Sequence, residues 1–334
     1  MTLTLQVEAM TDSTEFAERI DPYRRELLAH CYRMMGSLDD AEDLVQDTCL
    51  RAWRAYGGFE RRSSLRTWLY RIATNVCLTA LQHRGRRSLP SGVAAPSPYP
   101  YVPAATEPPE VAWLQPIPDA LAGPPSDDPA AVAEAQAGLR LALIAALQYL
   151  PPRQRAALIL CEVLDWPAAE AAEALGTSTP ALKSILQRAR ARLREVAPAV
   201  EDVVEPTAPE VRSLLETYIN AFESSDVDVL AHALVSDAAI ELIPTRTWFS
   251  GITTCVPFLA AEAMGARGDW RMLVTGANDQ PAVAAYFRDS AGVHQAWGVA
   301  VLTCRRDGIA RITVFGDPQL VGKFAFPTSL PTLS

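Results

Sequence analysis

None of the six cysteines (Cys31, Cys49, Cys77, Cys161, Cys255 and Cys304) forms a Cys-x-x-Cys pair or joins a histidine in a ligand cluster. That scatter argues against a bound metal and against a disulfide framework. It reads as small buried thiols in a reducing compartment. Long apolar runs are missing too. The best, Leu139 to Leu150, is interrupted by Arg140 and Gln148. It is also shorter than the ~20 residues that span a bilayer. The N-terminal residues carry neither the basic start nor the apolar core of a secretory signal. These absences imply a cytoplasmic protein with no membrane partner. Positive charge is not in excess either: a net charge of −9 speaks against indiscriminate nucleic-acid binding.

What is present divides by pattern. At 334 residues the chain has room for two or three domains. Prolines crowd between Pro90 and Pro129, in a stretch also rich in Ala, Ser and Gly. Such a composition cannot bury enough apolar surface to fold alone, so residues 89–133 are the expected linker. Residues 13–88 read as helical, with Tyr23, Leu27, Leu28, Cys31, Tyr32 and Met35 at helical spacing. Gly36 ends that helix, Ser37 caps the next, Gly57-Gly58 breaks it, and a third begins after Ser63-Ser64. Residues 134–198 are helical again. From 207 to 326 a helix (Val211 to Ser224) precedes apolar and β-branched runs at Ala239–Ile243, Ala282–Phe287, Val299–Thr303 and Ile309–Phe315, which read as strands.

Charge is segregated inside the first domain. Asp39, Asp40, Glu42, Asp43 and Asp47 follow one another with no base between them. Arg51, Arg54, Arg61, Arg62, Arg66, Arg71, Arg84, Arg86 and Arg87 then face a single acid, Glu60. The acidic helix suits a basic protein partner; the basic one suits phosphates, whose neutralisation releases counterions. Trp68 shares the apolar stripe with Leu65 and Ile72, so it belongs to the core. Arg71 and Asn75 lie off that stripe, where a guanidinium and an amide can bond phosphates or unpaired bases.

The second helical domain carries a helix-turn-helix. Leu150-Pro-Pro-Arg-Gln-Arg155 opens one helix, Pro167 to Leu175 forms a short one, Gly176 permits the turn, and Thr179 caps a third with Pro180 in its first turn. Leu182, Ile185, Leu186, Ala189 and Leu193 would pack inward. Lys183, Ser184, Gln187, Arg188, Arg190, Arg192 and Arg194 would face out, as on a helix that enters the major groove.

At these motifs the chain resembles bacterial sigma factors of the extracytoplasmic-function group, which keep sigma regions two and four. Asp40-Ala-Glu-Asp-Leu-Val-Gln-Asp47 resembles the polymerase-binding helix. Ser64-Leu-Arg-Thr-Trp-Leu-Tyr-Arg-Ile-Ala-Thr-Asn75 is similar to the helix for the −10 promoter element. Leu150-Pro-Pro-Arg-Gln-Arg155, with Leu175 to Ser184 and Gln187 to Leu193, resembles the −35-reading domain. The resemblance implies that Asp40, Asp43, Gln46 and Asp47 meet core RNA polymerase at its β′ clamp, with the β flap as a second contact. It implies that Arg61, Arg62, Arg71 and Asn75 serve the −10 element, and that Ser178, Thr179, Lys183, Ser184, Gln187 and Arg188 serve the −35 element. Ile185 departs from the family, which usually has Arg there.

Residues 207–326 resemble the SnoaL-like, cone-shaped α+β fold of the ketosteroid-isomerase group, through Tyr218-Ile-Asn-Ala-Phe222, a Trp248-Phe-Ser-Gly251 loop, Asn278-Asp-Gln-Pro-Ala282 and Phe315-Gly-Asp-Pro318. Some sigma factors carry such a domain in place of a separate membrane anti-sigma partner. Trp113-Leu-Gln-Pro-Ile-Pro118 resembles their linker motif, and makes Trp113, Leu114, Pro116 and Pro118 candidate regulatory residues. Apolar residues in a polar linker also need a surface to dock on. The expected architecture is therefore two all-α domains (a region two bundle at 13–88 and a region four helix-turn-helix at 134–198), then the α+β domain. No cofactor and no catalytic residue is assigned. Tyr218, Asp237, Glu241 and His294 are acid–base candidates that no constellation compels. Trp248, Phe249, Tyr286 and Trp297 could line a pocket for an apolar small molecule or simply form a core. A one-component repressor could use the same helix-turn-helix, but would not need the acidic helix.

Overall fold

The computed structural model describes residues 16–59, 63–101, 111–122, 138–196, 204 and 208–331. Contacts divide the chain into two compact units: Met1–Arg87 with Asp119–Pro198, and Ser88–Pro118 with Ala199–Ser334.

The first unit is helical. α1 (Arg24–Met35) ends at Gly36, whose φ of 70° only glycine adopts cheaply. α2 (Leu38–Ala55) starts at Ser37, which accepts the Asp40 amide at 3.2 Å. It buries Leu38, Ala41, Leu44, Val45, Thr48 and Ala52, the stripe a 3.6-residue repeat requires. α3 (Leu65–Ala80) starts at Ser64, which accepts the Thr67 amide at 3.0 Å. Trp68 is buried on this helix, with its ring 4.8 Å from that of Phe59. Then come α4 (Leu141–Leu147), α5 (Pro152–Leu158) running on as a π turn (Ile159–Val163), α6 (Ala168–Ala174) and α7 (Thr179–Val196). The cap of α7 sits one residue earlier than expected. Ser178, not Thr179, accepts the Ala181 amide, at 3.4 Å, because Ala181 lies three residues past Ser178.

Arg155 joins the two helical groups of this unit. It is 3% exposed. Its Nη1 donates to the Met34 carbonyl and, at 2.7 Å, to Gln148 Oε1; its Nη2 donates to the carbonyls of Gln148 and Leu150 at 3.1 and 3.3 Å. The fork of a guanidinium can serve these acceptors together; a lysine ammonium cannot. Tyr70 and Trp166 meet edge-on at 5.9 Å across the same junction.

The second unit is α+β, as expected. α8 (Pro209–Ser224), α9 (Val227–Ala233) and α10 (Ile252–Phe258) lie against a sheet of β1 (Leu234–Ile243), β2 (Trp248–Ser250), β3 (Trp270–Ala277), β4 (Gln280–Arg288), β5 (His294–Arg305) and β6 (Gly308–Phe315), in the order β2-β1-β6-β5-β4-β3. Among the described strands, β1 and β6 are the one parallel pair. α11 (Pro318–Lys323) packs along β5, as does the short β7 (Ser329–Leu330). The helix side holds the main core, with Tyr218, Phe222, Ile240, Phe249, Phe258, Val283 and Ile312. Their strand neighbours Ala282, Ala284, Val299, Val301 and Phe315 point the other way and are buried as well. Burial on both faces explains why β4 and β5 read as continuous apolar runs rather than alternating ones. The Trp248-Phe-Ser250 segment, expected as a loop, is the edge strand β2, because pairing with β1 satisfies its backbone.

His30 gives the first unit a pH dependence. The ring is fully buried, with Nε2 3.0 Å from Thr74 Oγ1, and that hydroxyl donates to the Tyr70 carbonyl. Nε2 is therefore the donor, and Nδ1 has no partner. Burial, and secondarily the Arg33 guanidinium, lowers its pKa from 6.5 to about 3. Within that window the unfolded chain binds a proton that the folded chain refuses, so stability falls as pH drops below 6.5. His30→Gln is expected to flatten this fall when urea midpoints are compared at about pH 7 and about pH 4.5. Equal losses in both proteins would contradict the assignment.

Candidate nucleic-acid interface

α2 presents one outward stripe. Asp43 and Gln46 are exposed; Asp47 is half-buried and pairs with Arg51, one turn on, at 2.9 Å. Leu50 (55% exposed) and Trp53 (37%) continue the stripe at the next turns. Sequence reading assigned neither to the surface, and Trp53 keeps one contact with the core, its ring meeting that of Phe16 edge-on at 5.3 Å. Their spacing from Asp43, seven and ten residues on, is the signal that could have found them. Asp40 behaves differently. Its side chain is largely covered, and it accepts Arg87 at 2.7 Å and also Arg84. It braces the segment after α3 against the start of α2.

On α3, Arg71 and Asn75 lie one turn apart on the same side. Asn75 is exposed, and Arg71 Nη1 sits 3.2 Å from Glu173 Oε1 of α6. Arg66, by contrast, is held by Glu26 at 2.6 Å and lies over the Tyr70 ring. Arg61 and Arg62 lie outside the described residues.

On α7, Lys183, Ser184, Gln187 and Arg188 are all exposed, while Leu182, Leu186 and Ala189 are buried. Ser178 is exposed at the cap and Thr179 half-buried. Ile185 is half-buried beside the packing stripe, a position where an apolar side chain replaces a usual arginine without exposing itself fully. Arg190 is turned to Glu162 at 2.5 Å.

The linker tract is docked. Leu114 and Ile117 are fully buried, Pro116 and Pro118 are buried, and Trp113 is half-buried. Asn278, in the β3–β4 turn, takes the Ile117 amide on its Oδ1 at 3.0 Å, and its own amide donates to the Ile117 carbonyl at 3.0 Å. Ser88 pairs with Trp113, closing the linker on itself.

The acid–base candidates do not converge. Tyr218 lies in the helix-side core, and burial raises its pKa. Glu241 is fully buried, but its strand neighbour Ile240 faces that core, so Glu241 lies on the other face. Asp237 is exposed and doubly bonded to Arg305, which holds its carboxyl below the usual range. His294 donates to the Gly268 carbonyl at 3.0 Å. The aromatics do not form one pocket either. Phe249 stacks on Phe258 in the core, while adjacent Trp248 points to the opposite face. Tyr286 donates to the Pro327 carbonyl, and Trp297, the extra residue of a bulge in β5, meets Trp270 edge-on. Among the described residues no group of three metal-ligating side chains forms, and no helix is long and apolar enough to cross a membrane.

The sigma-70 region 2 family matches residues 20–87, and the sigma-70 region 4 family matches residues 140–193. The chain is 47% identical over 318 residues to the ECF RNA polymerase sigma factor SigG of Mycobacterium tuberculosis, covering 95% of this chain and 85% of the relative. It is 33% identical over 164 residues to SigE of Mycolicibacterium smegmatis, 49% of this chain and 54% of that one. The crystal structure of the Mycobacterium tuberculosis extracytoplasmic function sigma factor SigJ shares the fold at a TM-score of 0.59 and 21% identity, over 93% of this chain and 99% of that one. That coverage takes in the C-terminal sheet as well as the helices. Identity to SigG across nearly the whole of both chains leaves one assignment: the chain is an ECF RNA polymerase sigma factor, a non-enzymatic protein that binds core RNA polymerase and directs it to promoters.

Proposed function

We propose that the stripe from Asp43 to Trp53 docks on core RNA polymerase, that Arg71 and Asn75 contact the −10 element, and that Lys183, Ser184, Gln187 and Arg188 read the −35 element. The observation that carries this reading is the exposure of Asp43, Gln46, Leu50, Trp53, Asn75, Lys183, Ser184, Gln187 and Arg188, with Asp47 and Arg71 half-buried beside them, on capped helices whose other faces are buried. Arg61 and Arg62 join the −10 set by sequence alone. The stripe begins acidic and ends apolar, so it fits a partner surface with basic groups beside an apolar hollow, the β′ clamp of the polymerase. Asp40 supports the start of the stripe rather than meeting the partner. The −35 helix would enter the major groove with Ser178 and Thr179 at its N-terminal end, near the phosphates. Promoter specificity is exercised in the cytoplasm, where polymerase and chromosome meet.

The SnoaL-like domain modulates this activity through the linker. Its hold on Trp113, Leu114, Pro116 and Pro118 sets the path of the chain between regions two and four. The functional boundaries follow: region two at about 13–88, region four at about 134–198, and the regulatory domain at 207–326 together with the linker tract.

Binding of the full chain to core RNA polymerase tests the docking stripe. Asp43→Ala/Asp47→Ala and Trp53→Ala are each expected to weaken it about tenfold or more, the loss of a charged or aromatic anchor. Asp40→Asn should leave affinity within about twofold and lower the melting temperature instead. Affinity lost through Asp40 and spared at Trp53 would reverse the assignment. Truncation after Val204, which strips the linker of its docking surface, is expected to shift run-off yields unevenly across promoters. Unchanged yields would remove the C-terminal domain from regulation.

A further inference from the structure

The first half of the linker is held on the C-terminal sheet at a place that none of the roles above explains. β2 is an edge strand, paired only to β1. An edge leaves backbone groups open to any extended segment. Here the Trp248 carbonyl accepts the Ser97 amide at 2.8 Å, and the Trp248 indole Nε1 donates to the Ala94 carbonyl at 2.8 Å. One residue thus grips two backbone points three residues apart. Leu89 and Pro90 are buried, and a short turn at Pro90–Gly92 packs on β1. An indole N–H on a carbonyl beside a seat for an apolar residue and a proline is a common way to recognise proline-rich chains.

Beneath this strap lies Glu241, the residue directly opposite Trp248 in the β1–β2 register. It is 0% exposed. Arg311 bonds one carboxylate oxygen, and the other has no hydrogen-bond partner. Burial raises its pKa, although Arg311 and the Ser91 hydroxyl of the strap favour the charge. An apolar side chain would suit a permanently covered face better, since burying a carboxylate costs desolvation that Arg311 and the Ser91 hydroxyl offset only in part. Lifting the strap would let water reach Glu241 and relieve part of that cost. The strap is therefore closed over a group that resists closure.

We propose that the face formed by Trp248, Glu241 and Arg311 is a binding site for extended segments rich in proline, alanine and serine, that residues 89–97 are its cis ligand, and that a partner segment of the same composition can take their place. The site reads two main-chain groups and one small apolar seat, so composition and extension matter more than an exact sequence. The second linker half is gripped separately at Asn278, so exchange of the strap does not require release of Ile117.

The test uses the full chain and a fluorescent synthetic peptide with the sequence of residues 88–101. In the native protein the tethered strap competes at an effective concentration on the order of millimolar, so the peptide binds poorly. A Leu89→Gly/Pro90→Gly/Ser97→Pro variant loses its buried anchors and the Ser97 donor. It is expected to bind the peptide at least about tenfold more tightly by anisotropy. Adding Trp248→Phe, which removes the indole donor and keeps an aromatic ring, should weaken that binding about fivefold. No gain in the strap variant, or binding indifferent to Trp248→Phe, would overturn the proposal. A second measurement does not depend on the strap variant folding. With Trp248→Phe alone, amide exchange in residues 91–97 should quicken while that of Leu114 and Ile117 stays unchanged; exchange unchanged in both would equally overturn it.

Discussion

The reciprocal pair between Asn278 and Ile117 is the constraint on which the arrangement of the linker depends. Ile117 stands between two prolines, so it carries the sole amide donor of the Pro116-Ile117-Pro118 tract, and the following proline keeps it extended. That donor reaches Asn278 Oδ1, and the Asn278 amide returns a bond to the Ile117 carbonyl. Asn278 can offer both groups because it stands in a left-handed turn at φ 58°, a conformation that asparagine tolerates better than most residues. With the Ile117 side chain fully buried, the tract is fixed by shape and by hydrogen bonding at once.

Much follows from that one contact. The Ser88–Trp113 pairing returns the first half of the linker to the second, so the chain that leaves the region two helices at Arg87 becomes part of the C-terminal unit immediately. It rejoins the helical unit at Asp119. Among the described residues, a linker that looks like a flexible spacer by composition holds two docked segments, 88–97 and 113–118. The helical unit has its own organising group in Arg155, a charge buried among four acceptors. Such a junction is specific, because every acceptor is unsatisfied once the guanidinium leaves.

The helices and the helix-turn-helix were legible in the sequence because their signals are local. Gly36, Ser37, Ser64 and Gly176 each act within a turn of their own position, and the buried stripes of α2 and α7 repeat at helical spacing. The Ser178 cap was missed by one residue because Ser178 and Thr179 offer the same chemistry. β2 and β3 escaped for a different reason: both are edge strands, defined by partners far along the chain. Whether the four aromatics line a pocket or form a core was left open by the sequence; strand alternation sends the neighbours Trp248 and Phe249 to opposite faces. Lys183 and Gln187 are exposed, as the helical spacing of α7 implies, and so are Asp43 and Gln46 on α2. The brace at Asp40 depends on Arg84 and Arg87, more than forty residues away, which no local pattern reports. Docking of Trp113 to Pro118 was anticipated from apolar residues in a polar stretch, whereas its partner Asn278 could be found only in three dimensions.

The most direct test of the central claim is amide hydrogen exchange at Ile117 in an Asn278→Gly variant. Glycine keeps the left-handed backbone and its N–H, and removes the side chain that carries the acceptor. The account predicts that the Ile117 amide exchanges about fivefold faster or more, with residues 113–118 loosening together while the amides of β5 and β6 keep their protection. An Ile117 amide as protected as in the native chain would contradict it, and would mean that the linker is held without the Asn278 side chain, by apolar burial and the backbone bond at position 278.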